Sequence, residues 1–202
     1  MLQSLRKMTG PLNPCNSGSI IHKSAQNGLT SITFGGTGWR TADITINAVT
    51  LANARLLKAT GGNLYNGATS VSNFWYCYLN STTTIRVRAY VGNNLAANFG
   101  WGVEEFLQSQ SIQRGQTLCF PGGATGARTQ DVTITSLTDY TKAGVVIFND
   151  FSITGEASGG TSDCRNITGQ LTSNTNLRIA GDVLTTDATG FYISWEVYPL
   201  NG

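Results

Sequence analysis

A chain of 202 residues with 40% hydrophobic side chains carries enough apolar material for one core or two, while its charged share of 12% is about half that of an average soluble protein. A formal net charge of +2 without a basic stripe excludes nucleic acid as an expected partner. No run approaches the roughly 20 apolar residues of a membrane helix, so no membrane partner is expected.

Residues 1–16 read as an arm. Leu2, Leu5 and Met8 would share one face of a short helix that Pro11 interrupts, and Arg6 and Lys7 could pair charges with a neighbour. About a dozen residues is marginal for a helix in water. The arm is therefore expected to order on docking, which makes Leu2, Leu5, Arg6, Lys7 and Met8 interface candidates. No apolar stretch of signal-peptide type follows it.

Beyond the arm the pattern has a period of two. Ile44, Ile46 and Ala48 alternate with Asp43, Thr45 and Asn47. Ile85, Val87, Ala89 and Val91 alternate with Thr84, Arg86, Arg88 and Tyr90. Phe191, Ile193, Trp195 and Val197 alternate with Tyr192, Ser194, Glu196 and Tyr198. Such alternation marks half-buried strands, and glycine clusters such as Gly35-Gly36-Thr37-Gly38 and Gly122-Gly123 mark turns between them. The helix-like window Leu51–Lys58 aligns with the β-branched run Ala143–Phe148, so Leu56-Leu57 reads as strand after a loop or short helical turn.

The two halves repeat each other. Ser19-Ile20 matches Ser111-Ile112, Asp43-Ile44-Thr45-Ile46 matches Asp131-Val132-Thr133-Ile134, the run Leu79–Val87 matches Leu171–Ile179, and Trp101-Gly102-Val103 matches Trp195-Glu196-Val197, all in the same order. The expected fold is all-β: two tandem antiparallel, jelly-roll-like sandwiches, residues 17–107 and 108–202, joined near Gln108–Ser111. Trp101, Val103, Trp195 and Val197 are the expected core anchors at equivalent places in the last strand of each module.

Residues with catalytic chemistry are sparse. His22, the one histidine, lies opposite Arg114 in this alignment and has no nucleophile or carboxylate pattern around it. Glu104 and Glu105 are adjacent on a strand and point to opposite faces, so they form no glycosidase pair and read as solvated. Asp163, Asp182 and Asp187 are scattered, and no phosphate-loop spacing occurs. A non-enzymatic protein with no metal and no cofactor is expected. Cys15, Cys77, Cys119 and Cys164 lack zinc spacing and could pair within each half or remain thiols. The densest aromatic run is Phe74-Trp75-Tyr76-Cys77-Tyr78. A strand there is either buried on both faces or offers Trp75, Tyr76 and Tyr78 to another subunit or to a sugar.

The blocks Ser111-Ile112-Gln113-Arg114-Gly115, Asp131-Val132-Thr133-Ile134, Leu171–Ile179 and Ile193-Ser194-Trp195-Glu196-Val197 resemble a small-domain family of tailed-bacteriophage virion genes. Its pattern runs S-I-Q-R-G, T-x-T-I, L-T-N-x-T and V-S-W/Y-x-V-x-x-F. Module two carries all four blocks, with Leu200 for the final Phe; module one carries the last three and keeps Phe106, with Ile20-Ile21-His22-Lys23 where the opening block belongs. The resemblance implies a non-enzymatic virion protein, a head decoration, neck or collar, or tail-fibre accessory, with other virion proteins as partners and a homo-oligomer expected. The alternative is an adhesin module that binds a host-surface glycan.

Overall fold

The computed structural model describes residues 22–61, 73–91, 95–107, 111–122, 124–152, 164–184 and 190–200. The period-two segments form strands. In the first half these are β1 (His22–Phe34), β2 (Gly38–Thr45), β3 (Ala54–Gly61), β4 (Asn73–Ser81), β5 (Thr84–Val91) and β6 (Leu95–Phe106). In the second half they are β7 (Gln113–Cys119), β8 (Gly126–Thr133), β9 (Ala143–Ile147), β10 (Asn149–Ser152), β11 (Cys164–Ser173), β12 (Asn176–Val183) and β13 (Phe191–Pro199). Single 3-10 turns, Leu51–Asn53 and Tyr140–Lys142, lead into β3 and β9, as expected for the helix-like window.

The strands pair in the orders β1-β6-β3, β10-β4-β5-β2, β11-β12-β8 and β7-β13-β9, and every pairing between them is antiparallel. The fold is thus all-β, with two sandwiches. Phe34, Ile44, Trp75, Ile85, Phe99 and Val103 belong to the first core. Phe120, Leu177, Ile179, Ile193, Trp195 and Val197 belong to the second.

The duplication recurs in side-chain bonding. Arg86 pairs with Asp43 at 2.8 Å, and Arg178 with Asp131 at 2.8 Å, across equivalent strands. The Gln26 side chain brackets the backbone of Asn47, donating to its carbonyl at 2.9 Å and accepting from its N–H at 2.8 Å. Gln113 does the same to Thr135 at 2.8 and 2.7 Å. These bonds correct the alignment of the opening strand. The counterpart of Ser111-Ile112-Gln113-Arg114-Gly115 is Ser24-Ala25-Gln26-Asn27-Gly28, not residues 20–23, and Asn27 rather than His22 occupies the place of Arg114.

The glycine that both halves keep in that block has a steric cause. Register sets Gly28 opposite Trp101 and Gly115 opposite Trp195. A Cβ would lie 2.7 Å from the Trp101 ring at Gly28 and 2.5 Å from the Trp195 ring at Gly115. Each indole lies across its neighbour strand and donates Nε1–H at 3.0 Å to a threonine two residues on, Thr30 or Thr117. Val103, Val197 and Trp195 are buried. Trp101 is only partly buried and packs at the margin of the first core.

The sandwiches are not beads on a string. The strand that begins as β9 against β13 leaves that sheet after Ile147 and continues as β10, paired with β4 of the first module. Between the two, Phe148 is 5% exposed and belongs to the first core, with Val146 packed against the same cluster. One strand of the second half therefore completes a sheet of the first.

Replacing Gly28 or Gly115 with Ala should destabilise the fold by about 1–3 kcal/mol, because the indole must leave its place to admit the methyl group. Equilibrium denaturation checks this, and Thr117→Val should cost about 0.5–1.5 kcal/mol for the lost indole bond.

Candidate functional site: the seam between the modules

The sheet β7-β13-β9 lies across the open side of the first sandwich, against β3, which ends its sheet, and β4, which β10 flanks. Strand edges carry backbone groups that need partners once water is excluded. Side chains of the second module supply them. Glu196, its side chain 2% exposed, accepts Leu56 N–H at 3.2 Å and Arg114 Nε–H at 3.0 Å. Arg114, its cross-strand neighbour, donates onward to Leu51 C=O at 3.1 Å and Ala54 C=O at 2.5 Å. Ser194 Oγ lies 2.8 Å from Cys77 C=O and 2.9 Å from Phe148 C=O. Burial pushes the Glu196 carboxyl above its ordinary pKa, and Arg114 opposes that rise. The Cys77 thiol is pushed well up, by burial first and by Glu196 second.

A second ionic layer borders the seam. Arg55 pairs with Glu104 at 2.8 Å and stacks over Phe106 and Tyr198, 5.3 and 4.7 Å from their ring centres. His22 Nε2 lies 3.4 Å from Glu104 Oε1. On the opposite face Glu105 is 3% exposed and takes Lys23 Nζ and Thr50 N–H, each at 2.9 Å. The two glutamates do diverge, but the reading of them as solvated is corrected: both are held in ion pairs.

An aromatic cluster flanks the same seam. Tyr76, fully buried, packs with Trp39 at 5.9 Å and Tyr192 at 6.2 Å between ring centres. Arg88 donates to its hydroxyl at 3.1 Å and lies over Trp39 at 5.4 Å and Tyr192 at 5.8 Å. Tyr78 stacks on Tyr76 at 6.3 Å. Burial raises the Tyr76 phenol above its usual pKa, with Arg88 opposing.

The interface candidates therefore divide. Trp75 and Tyr76 are corrected as partner-facing residues. Trp75 is 4% exposed and packs edge-on to Phe99 at 4.8 Å, and Tyr76 is covered by Tyr192 of the second half, so the strand is buried on both faces. Tyr78 stays half-buried. Leu2, Leu5, Arg6, Lys7 and Met8 lie outside the described residues.

Sequence reasoning missed Trp39, Arg88, Arg114, Tyr192 and Glu196, which only the topology brings together. Cys77, Cys119 and Cys164 are buried, and burial pushes the Cys119 thiol up to about 12; Cys15 lies outside the described residues. Among the described residues no group of three metal-ligating His, Cys, Asp or Glu side chains occurs, and no helix is long and apolar enough to cross a membrane. No family model, no curated protein and no solved structure matches the chain.

Arg114→Ala strands Glu196 without its ion pair and should cost about 3–5 kcal/mol, and the double change Arg114→Met with Glu196→Leu should not recover the loss, because Leu56 N–H and the Leu51 and Ala54 carbonyls would then lack partners. Chemical denaturation of the three variants measures this. Glu105 titrates below its ordinary value because of Lys23 and then Thr50 N–H. Its stabilising contribution is full above the unfolded-state value and is lost as pH falls through the lower folded-state value. Glu105→Gln should therefore flatten the acid-side decline in melting temperature below about pH 5.

Proposed function

We propose that this chain is a non-enzymatic structural subunit of a tailed-bacteriophage virion, an accessory of the head, neck or tail that docks on other virion proteins. The observation that carries the reading is the use made of the seam's charges. The most deeply buried carboxylate among the described residues, Glu196, and its partner Arg114 bind backbone groups of their own chain and lock one sandwich onto another. A buried ion pair spent on fixing the relative placement of two modules suits a building block. The virion-gene resemblance of the Ser111–Gly115 block and its companions supports the same reading, extended by the Gln26 and Gln113 brackets to both halves.

The second reading, a host-surface glycan module, rests on one observation. Trp39 and Tyr192, partly exposed with Arg88 over both rings, form an aromatic and cationic surface cluster of the composition found in sugar-binding sites.

Purified particles of the phage that encodes the chain test the first reading. Mass spectrometry should find the chain in washed virions, and gold-labelled antibody should mark one location on them. Detection in free lysate alone would refute it. A chain lacking residues 1–16 should keep its melting temperature and fail to join particles. Under the second reading, Trp39→Ala would instead abolish attachment of the isolated chain to host cells.

A further inference from the structure

We propose that the open side of the second sandwich is a docking site for the first sandwich of another copy of this chain, so that copies join head to tail. The inference rests on the equivalence of the two modules and stands apart from the virion reading.

The equivalence is set by register. Leu56 pairs with Val103 as Val145 pairs with Val197, and Leu79 pairs with Ile85 as Leu171 pairs with Leu177. The 3-10 turns Leu51–Asn53 and Tyr140–Lys142 precede the two edge strands in the same way. So Leu51, Ala54, Leu56, Cys77 and Leu79 correspond to Tyr140, Ala143, Val145, Gly169 and Leu171.

In the first module these positions bear the seam: the backbones of Leu51, Ala54, Leu56 and Cys77 are bonded by Arg114, Glu196 and Ser194. In the second module the same positions, with Thr141 and Gln170, line a shallow groove of about 320 Å³. The flanking strands, β9 and β11, each end their sheet, as β3 ends its own.

The face that fills the seam has its own counterpart. On the second module it is the outer surface of β7-β13-β9, which carries Arg114, Ser194 and Glu196. On the first module it is the outer surface of β1-β6-β3, where Asn27 faces Gly102 and Leu29 faces Gly100. Leu57 lies over Gly102 there, its Cβ 3.6 Å from where a Gly102 Cβ would stand. Leu29 is 72% exposed and Leu57 46%. Two exposed leucines beside two glycines make an apolar patch of the kind that marks an interaction site, bordered on the same face by the Arg55–Glu104 ion pair.

One copy of the fold thus leaves a groove on its second module and the matching face on its first. In the seam within one chain, the equivalent face of the second module fills the equivalent groove of the first through Arg114, Ser194 and Glu196, at whose places the first module has Asn27, Gly100 and Gly102, so contact between copies relies on the leucines instead. Because groove and face lie on different modules, the contact is heterologous. Successive copies must add in one direction until the series closes as a ring or extends as a filament.

Sedimentation velocity and light scattering of the full chain test this with two double variants at exposed positions. The face variant is Leu29→Glu with Leu57→Glu, and the groove variant is Tyr140→Glu with Gln170→Glu. Circular dichroism and melting temperature verify that both fold. The wild type should form a species of several chains, and each variant should fall to the single-chain mass of 21.5 kDa. An equimolar mixture of the two should return a particle of twice that mass and no larger, because it retains one intact groove and one intact face. A monomeric wild type, or variants that oligomerise like the wild type, would overturn the proposal. Monomeric variants that do not pair on mixing would overturn its head-to-tail geometry.

Discussion

Strand β4 cannot be the edge of its sheet and also lie where it does. Its side chains are buried on both faces, from Trp75 and Cys77 in the first core to Tyr76 under Tyr192. Backbone groups in such surroundings need partners, at a cost of about 1–3 kcal/mol for each one left unmade. Among the described residues the first module has no further strand to offer. The second supplies one by sending its own strand out of its sheet as β10, and it adds Ser194 for the next carbonyl along. Strand β3 meets the same need through Glu196 and Arg114. The arrangement of the two sandwiches follows from satisfying these two edges.

The chemistry of the seam suits placement more than adhesion. A buried carboxylate loses hydration that its ion pair only roughly returns, which is why Glu196 titrates high despite Arg114. What the pair adds is geometry: the guanidinium and carboxylate together reach one N–H and two carbonyls of the first module. Phe148, inserted into the first core, supplies the apolar part of the contact. The modules have diverged to match. Glu196 stands where the first module has Gly102, Arg114 where it has Asn27, and Gly169 where the first has Cys77.

Much of this was legible in the residues. Period-two alternation located the strands, and ordered blocks such as Asp43–Ile46 with Asp131–Ile134 exposed the duplication. The opening block of the first module was not legible, because only Ser24, Gln26 and Gly28 survive from it and their role appears through the Asn47 bracket and the Trp101 ring. Glu196 reads as a solvent-facing residue in an alternating strand, and the outward face of β13 is in fact covered by the other module. Nothing in Asn149–Ser152 says which sheet it will join. Trp39 and Tyr192 sit 153 positions apart and meet only through the seam.

The two halves form one cooperative unit despite their separate cores. A protease site placed at residues 108–110 tests it most directly. After complete cleavage, the halves should elute together under native conditions and unfold in a single transition by calorimetry and by circular dichroism. Two fragments that separate as independently folded species, each with its own transition, would contradict the claim.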